Sequence, residues 1–384
     1  MSGAKDKRGV PPAPDGAELG KAMPCIAPKS GAYGISTQGR GRSMERSSSE
    51  IRRAWGCLLG QIAGDSLGSQ VEFKDEEKVR ALYPAGMDDL EGSALYGTLP
   101  GQPTDDSEMA LALARSLAEE GAFHAEKVRA AYVAWLGSHP VDFAHAVFRA
   151  LHGKIDARSE ANCALMRVSP LGIRGAHCVP DAALPCDDGA EPDIEALAES
   201  REMRELARQA MEEAALTNPH PLCRASSAAY VSALAYGIRS GSPMGMWRAA
   251  HAVAAHLPSW SDVPAEEAER VCACLEDART HEPENVQENM SHVLVALHNG
   301  FWRLLHAGNA GAGVRATVMR GGDAAANGAV AGALLGAALD IDSFPHQWAD
   351  AVLACMPKEG RVARPRPEAY WPMDFMPLAE KLLG

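Results

Sequence analysis

Residues 56–68 read GCLLGQIAGDSLG and residues 321–336 read GGDAAANGAVAGALLG. In both stretches glycine recurs at every fourth position: Gly56, Gly60, Gly64 and Gly68 in the first, and Gly328, Gly332 and Gly336 in the second. Residues four apart share one face of a helix. Because glycine inside a helix costs about 1 kcal/mol relative to alanine, two such stripes need a packing reason. We predict that the two helices pack against each other or against equally close neighbours.

The rest of the chain, from Ser49 onwards, also favours helices. Aromatic residues make up only 5% and alanine is the dominant apolar residue, which suits helices better than sheets. Ser49 is a candidate N-cap for a helix over about 50–67, and the second glycine stripe lies in a helix over about 325–339. Strand-like alternation is nearly absent, so the predicted fold class is all-α, and residues 174–193 are predicted to be an irregular surface excursion. Further helices are predicted over about 105–120, 125–137, 142–152, 195–216, 222–240, 245–256, 264–276, 285–307 and 346–355.

Composition and charge narrow the classes of function. The formal net charge of −13 argues against nucleic acid as the main partner, since phosphate binding requires clustered Lys and Arg. No stretch approaches twenty apolar residues, which predicts no membrane span, and the first ten residues lack a secretory signal. The nine scattered cysteines are typical of free thiols in a reducing compartment, which predicts a cytoplasmic protein.

The N-terminal segment differs from the rest of the chain. Residues 1–47 are rich in Gly, Pro and Ser and carry eight Lys or Arg against four Asp or Glu. Such a composition cannot bury enough apolar surface to offset the entropy of ordering. We therefore predict a flexible basic tail over 1–47, which either folds back or reaches a partner, followed by one helical domain over 48–384.

Four short segments contain candidate functional residues. Thr104, Asp105 and Asp106 begin a predicted helix, where they are either simple caps or a hard-oxygen cluster suited to Mg²⁺ or Mn²⁺. Asp323 follows a glycine turn and, on local grounds, is an N-cap. Residues 162–172, which include Arg167, favour a helix end, and His220 lies in a turn, where a surface or capping role is common. A serine nucleophile elbow and a phosphate-binding loop are absent from the sequence.

Taken in order, six segments over about residues 50–355 resemble the ADP-ribosylglycohydrolase family of the dinitrogenase-reductase-activating type. The segments are 60–73 with its GQIAGDSLG and VEF, Thr104–Asp106, Ser138–Asp142, Asn162–Pro170, Leu216–Pro221 and 321–336. Each segment is weak evidence alone, and their shared order makes the resemblance specific.

The resemblance implies an all-α orthogonal bundle around a central cleft with two Mg²⁺ or Mn²⁺ ions. It implies that metal is held by Thr104, Asp105, Asp106 and Asp323. Asp105 is also a catalytic candidate, and Asp142 or Glu72 helps to position or activate water. The substrate-side candidates are Asn162, Arg167, His220 and Gly322. The implied reaction is hydrolysis of the glycosidic bond between ADP-ribose and a protein side chain, often arginine, assisted by the cations.

This sequence departs from the family pattern at its closing motif. The family reads Gly-Gly-Asp-Thr-Asp-Thr-Asn, whereas this chain has Ala324, Ala325 and Ala326 in place of Thr-Asp-Thr. A methyl group cannot bind a hard cation, so we predict an impaired second metal site, whether the alanines are engineered or natural. Further departures from the family's Gly, Gly and His are Ala144, Cys163 and Asn218.

Three interpretations of function follow. The first is a hydrolase that reverses mono-ADP-ribosylation, with an ADP-ribosylated protein as its partner and with impaired activity in this chain. The second is a binding or immunity protein that blocks an ADP-ribosyltransferase or toxin with its N-terminal tail. The third is a structural protein on a hydrolase fold.

Overall fold

The structure, a computed structural model, describes residues 47–185 and 191–384. Sixteen α-helices lie in these ranges: α1 Ser48–Gly68, α2 Glu76–Leu82, α3 Asp105–Glu120, α4 Ala125–Gly137, α5 His145–Leu151, α6 Ser169–Arg174, α7 Glu195–Glu199, α8 Arg201–Ala215, α9 Pro221–Ser240, α10 Pro243–Trp260, α11 Ala265–Asp277, α12 Val293–His306, α13 Ala310–Val318, α14 Ala324–Leu339, α15 His346–Leu353 and α16 Phe375–Leu383. The described residues contain no sheet, and one isolated antiparallel bridge joins Ala161 to His292. The all-α prediction is confirmed.

The glycine-striped helices α1 and α14 form the centre of the bundle. A Cβ atom placed on Gly60 would lie 2.0 Å from the carbonyl oxygen of Gly332, and one on Gly64 would lie 2.0 Å from that of Gly328. Side chains cannot fit at such distances, so the two backbones touch directly. The predicted packing of the two stripes is confirmed. Helix α14 is buried from Ala324 to Ala338, because α9, α12 and α13 also pack against it.

The start of α1 differs from the prediction. Ser47, not Ser49, is the N-cap: its hydroxyl accepts from the Glu50 backbone N–H at 3.2 Å, and the Glu50 carboxylate accepts from the Ser47 N–H at 3.3 Å. This reciprocal pair satisfies two N–H groups, which a cap at Ser49 would not do. The remainder of the predicted tail, residues 1–46, lies outside the described residues.

Several other predicted boundaries were wrong. The predicted helix over 285–307 begins only at Val293, after a loop in which Asn289 has a φ of +51°. The predicted helix over 142–152 begins at His145, and the one over 195–216 is broken at Ser200, which caps α8. Periodicity also missed the short helices α2, α6, α13 and α16.

The predicted excursion over 174–193 packs on the body instead of lying wholly on the surface. It contains 3₁₀ turns over Gly175–Cys178 and Asp181–Ala183. Ala176, Val179 and Ala183 are each buried, because apolar side chains in this stretch reach the core. Its residues 186–190 lie outside the described part. No helix that the structure describes is long and apolar enough to cross a membrane.

An acidic cleft between two helix N-termini

The N-terminus of α3 is held by an acidic residue of α1. Asp65 is fully buried, and its carboxylate accepts from the backbone N–H of Thr104 at 3.0 and 3.1 Å and from that of Ser107 at 3.0 Å. Burial raises the pKa of Asp65 to about 6, although the hydrogen bonds act in the opposite direction. Sequence reasoning did not assign Asp65 to the site. The available signal was a carboxylate on a helix that is otherwise buried and glycine-striped.

The predicted ligands at the start of α3 lie together. The Thr104 hydroxyl donates to Asp65 Oδ1 at 2.7 Å and lies 3.1 Å from Asp106 Oδ2. Asp105 Oδ2 accepts from the backbone N–H of Ala144 at 3.1 Å. Burial raises the pKa of both Asp105 and Asp106 well above the usual range, and repulsion from Asp142 and Asp65, respectively, adds to the shift.

The N-terminus of α14 faces the same cleft. Asp323 occupies its N-cap position, and Oδ2 of Asp323 accepts from the Asn162 side-chain amide at 3.0 Å. Glu72 Oε2 accepts from the Ala325 backbone N–H at 2.7 Å, so this carboxylate caps α14 from outside the helix. Burial, followed by repulsion from Asp323, raises the pKa of Glu72 well above its usual range.

Gly322 holds the turn that carries Glu72. Its N–H donates to the Lys74 carbonyl at 2.8 Å, and its own carbonyl accepts from the Phe73 N–H at 2.8 Å. Gly322 has a φ of +71°, and a Cβ there would lie 2.6 Å from the Val286 carbonyl oxygen, so glycine is required. The predicted substrate-side residue Gly322 is therefore a backbone support behind the cleft.

These residues enclose a cavity of about 450 Å³. It is lined by Glu72, Phe73, Asp105, Asp106, Asp142, Phe143, Ala144, His145, Ala146, Ala161, Asn162, Cys163, Met166, Ser291, Asp323 and Ala325. Five of these side chains are carboxylates, and among the described lining residues there is no Lys or Arg. The cleft therefore brings five carboxylates together, and Glu72, Asp105, Asp106 and Asp323 among them are buried.

Arg167 does not line this cavity. It is completely buried and donates to Glu213 Oε1 at 2.7 Å, to the Cys163 carbonyl at 2.9 Å and to the Thr217 hydroxyl at 2.9 Å. Its guanidinium also lies over the Tyr132 ring. These contacts occupy the donors of the guanidinium, so the predicted substrate-binding role of Arg167 does not fit its position. Arg167 instead joins the cleft segment to α8.

His220 also lies outside the cavity lining. Its Nδ1 accepts from the Leu222 backbone N–H at 3.2 Å, which makes it the N-cap of α9. Among the described residues, His220, Glu160 and Glu267 form a group whose ligand atoms lie within 4.8 Å of one another. However, the Arg270 guanidinium donates to Glu160 at 2.9 and 3.1 Å and to Glu267 at 2.8 Å. Arg270, a cation of the protein itself, is already paired with both carboxylates.

The cleft carboxylates, in contrast, fit a bound cation. Asp106 Oδ1 is buried and has no hydrogen-bond partner among the described residues. A buried carboxylate oxygen without a partner is costly unless a cation or a donor occupies the space. Hard oxygen donors of this kind suit Mg²⁺ or Mn²⁺. The donor set therefore fits the ion that the sequence predicted for Thr104, Asp105, Asp106 and Asp323.

The three alanines form the first turn of α14. Ala325 lies on the cleft and is 4% exposed, and Ala324 and Ala326 are buried beside it. The helix still begins directly after Asp323. At position 325 the cleft therefore meets a methyl group on a backbone that keeps its hydrogen bond to Glu72.

Comparison with known proteins found related sequences. The chain is 27% identical to the ADP-ribosyl-[dinitrogen reductase] glycohydrolase of Rhodospirillum rubrum over 77% of its own length and 88% of the relative's. It is 32% identical to the ADP-ribosylarginine hydrolase Tri1 of Serratia proteamaculans over 23% of this chain and 22% of that protein.

A solved structure named ADP-ribosylglycohydrolase-related protein complex shares the fold, with a TM-score of 0.63 and 21% identity over 88% of this chain and 99% of that one. The profile of the ADP-ribosylglycohydrolase family matches residues 46–370. This match covers most of the described helical body, including both helix N-termini of the cleft. The chain belongs to the ADP-ribosylglycohydrolase family.

Proposed function

We propose that this chain acts on ADP-ribose joined to a protein arginine and that hydrolysis of the bond is impaired by Ala325 and Ala326. The observation that carries the proposal is the cavity of about 450 Å³, which collects five carboxylates from separate segments. The names of the relatives support the substrate class, since they are glycohydrolases of ADP-ribosylated dinitrogen reductase and of ADP-ribosylarginine.

Asp105, Asp106 and Asp323, with Thr104 beside them, are the residues that would hold Mg²⁺ or Mn²⁺. When bound, the ion orients the ribose hydroxyls and lowers the pKa of water. The unpartnered Oδ1 of Asp106 supports this assignment. The position where the family has a further aspartate is Ala325 here, so we expect one ion to bind more weakly or not at all.

The chain's own residues complete the reaction. Asp142 lies at the half-buried edge of the cavity, where its carboxylate can accept a proton from water. The water oxygen forms a bond to the anomeric carbon, the bond from that carbon to the arginine nitrogen breaks, and the nitrogen takes up a proton. Asn162 fixes Asp323 through the 3.0 Å hydrogen bond. Glu72 holds the first turn of α14 in place.

The test is release of ADP-ribose from an arginine-modified protein. This chain is compared with the Ala325→Asp, Ala326→Thr variant in Mg²⁺ and in Mn²⁺. Activity that appears only in the variant supports the proposal and identifies the alanines as the cause of the impaired hydrolysis. Adding Asp106→Asn to the variant should abolish the gain. If both proteins are folded but release no ADP-ribose, and neither binds ADP-ribose in calorimetry, the hydrolase proposal is wrong.

A binding or immunity function remains the second candidate. It is favoured by the loss of two ligand side chains from a chain that keeps the fold, together with the excess of Lys and Arg in residues 1–47. In that case deletion of residues 1–46 should abolish inhibition of an ADP-ribosyltransferase and leave ADP-ribose binding unchanged. Inhibition that survives the deletion would exclude the tail as the blocking element.

A further inference from the structure

We propose that Phe73 and Phe143, two exposed aromatic side chains that line the acidic cleft, contact the guanidinium of the modified arginine and so select arginine over an uncharged acceptor. This inference rests on the proposed function, because it names the residues that recognise the acceptor side chain of the substrate.

The backbone of Phe73 is held in an unfavourable conformation. Its φ is +59°, in the left-handed region that bulky side chains rarely adopt. The Phe73 N–H donates to the Gly322 carbonyl at 2.8 Å, and the Gly322 N–H donates to the Lys74 carbonyl at 2.8 Å, so the segment is fixed on both sides. The ring gains little burial in return, since Phe73 is 59% exposed. A strained position with an exposed ring indicates a role in binding.

Phe143 is the second exposed ring of the cleft. It is 39% exposed, and it stacks on Phe148 with ring centroids 5.4 Å apart. The next residue, Ala144, donates its N–H to Asp105 at 3.1 Å, which ties this segment to the start of α3. The stacking and the hydrogen bond hold Phe143 in place before a ligand arrives.

Each aromatic residue directly follows a carboxylate of the cleft. Phe73 follows Glu72, Phe143 follows Asp142, and all four residues line the same cavity. A guanidinium donates hydrogen bonds in its own plane, which suits carboxylates, and it stacks its face on aromatic rings. The pairing of acidic and aromatic side chains therefore complements the end of an arginine side chain.

The charge of the cleft favours a cationic acceptor. Five of the lining side chains are carboxylates, and the described lining residues include no Lys or Arg. A divalent ion offsets only part of that charge. The guanidinium of arginine is always charged, so it is attracted both by the carboxylates and by the faces of the two rings. In the proposed reaction this guanidinium lies beside Asp142, whereas an uncharged acceptor such as serine gains neither attraction.

The experiment measures binding by calorimetry in Mg²⁺. The ligands are free ADP-ribose and two peptides of the same sequence, one with an ADP-ribosylated arginine and the other with an ADP-ribosylated serine at the same position. The proteins are the full chain, Phe73→Leu, Phe73→Gly, Phe143→Leu and the control Phe123→Leu. Phe123 is half-buried and lines a different cavity.

We expect the full chain to bind the arginine peptide about tenfold more tightly than the serine peptide, because two rings each contribute a cation–π contact. Phe73→Leu and Phe143→Leu keep an apolar side chain without a ring, and each should reduce this preference about threefold. Their affinity for free ADP-ribose should change by less, and Phe123→Leu should keep the full preference. Equal binding of the two peptides, or a preference that survives both leucine variants, overturns the inference.

The variant Phe73→Gly separates a binding role from a structural one. Glycine adopts a φ of +59° without strain, so this variant should unfold at the same urea midpoint as the parent or a higher one. It should nevertheless lose at least as much of the arginine preference as Phe73→Leu. A lower midpoint with an unchanged preference would show that the ring supports the fold, and it would overturn the assignment of Phe73.

The ligands also separate this inference from the proposed function. If free ADP-ribose does not bind to the full chain, the proposed function fails and the inference fails with it. If free ADP-ribose binds and the two peptides bind equally, the inference alone fails. Mass spectrometry after each titration checks that the peptides are intact; where one is cleaved, the ratio of kcat/KM values for the two peptides replaces the ratio of affinities.

Discussion

The two helix N-termini at the cleft, those of α3 and α14, are stabilised in the same way but carry different side chains. Each receives a buried carboxylate from another element: Asp65 of α1 accepts N–H groups at the start of α3, and Glu72 accepts the Ala325 N–H at the start of α14. The first turn of α3 keeps Asp105 and Asp106. The first turn of α14 has only alanines after Asp323.

This difference shows that the scaffold and the chemistry depend on separate residues. The first turn of α14 keeps its position without Asp and Thr side chains, because its N–H is capped by Glu72 and its backbone is packed on α1 through glycines. Ala325 lines the cleft, whereas Ala326 is buried and does not line it. Position 325 can therefore be changed without removing a helix cap, although the cap of α14, Glu72, itself lines the cavity and the cap of α3, Asp65, does not.

The largest loss of stability is expected where the two glycine-striped helices, α1 and α14, touch each other. In Gly60→Ala the new methyl would lie 2.0 Å from the Gly332 carbonyl oxygen. We expect the free energy of unfolding to fall by about 3 kcal/mol or more, because neither backbone can move away. The matched control is Gly137→Ala at the end of α4, where a Cβ meets no atom within 4 Å. It should stabilise by about 0.5 kcal/mol. Similar urea midpoints for the two variants would contradict the close packing.

The contributions of the two capping carboxylates, Asp65 and Glu72, to the free energy of unfolding can be compared directly. Asp65→Ala removes an acceptor from two backbone N–H groups and a hydroxyl, and we expect a loss of about 2–3 kcal/mol. Glu72→Ala removes one hydrogen bond and also relieves repulsion with Asp323, so we expect about 1 kcal/mol. Both variants are measured by chemical denaturation without divalent ions. Equal losses would show that the two helix ends do not depend on their caps in the way the contacts indicate.

Ala325→Asp should make the two helix ends more alike. Without divalent ions we expect lower stability, because a further carboxylate joins a buried acidic group. An ion at about thirty times its dissociation constant should restore about 2 kcal/mol. Thermal unfolding with and without Mg²⁺ measures this gain. Ala134→Asp, on the exposed face of α4, is the control and should show no Mg²⁺ dependence beyond the parent. An equal Mg²⁺ response in all three proteins would remove position 325 from the ion site.

The smallest effect is expected at Glu160, which lies two residues before Asn162, the hydrogen-bond donor to Asp323. Hydrogen bonds from Arg270 and His292 hold the pKa of Glu160 at about 2. Because this pKa is lowered on folding, Glu160 stabilises the protein above about pH 4.5 and loses that contribution as pH falls towards 2. Glu160 is 28% exposed, so solvent screening reduces the effect to about 1 kcal/mol.

We therefore expect Glu160→Gln to be less stable than the parent at pH 7, with the difference shrinking below pH 4.5. Glu212→Gln, which breaks an exposed ion pair with Arg208, is the control and should have little effect at either pH. A difference for Glu160→Gln that grows as the pH falls would reverse the assigned sign.

Sequence patterns predicted some parts of this site better than others. The glycine stripes located α1 and α14, and the acidic starts of α3 and α14 pointed to the residues that line the cleft. Arg167 and His220 were assigned to the substrate side because they lie within matching segments. Their environments could not be read from those segments, because the partners Glu213 and Glu160 lie 46 and 60 positions away in sequence. Asp65 was overlooked for the same reason: its partners, Thr104 and Ser107, are 39 and 42 positions away.

Residue identity and local periodicity were enough to predict the helical class, the need of the two glycine-striped helices for very close neighbours and the absence of ligand side chains at positions 325 and 326. These properties follow from local periodicity and from residue identity, which need no knowledge of distant partners. The three-dimensional structure was needed to show that the two striped helices pack on each other, which acidic residues face the cavity, which one caps each helix, and which cations are buried in ion pairs. Those outcomes depend on burial and on contacts between distant segments, and the same side chain has a different pKa and a different role in each environment.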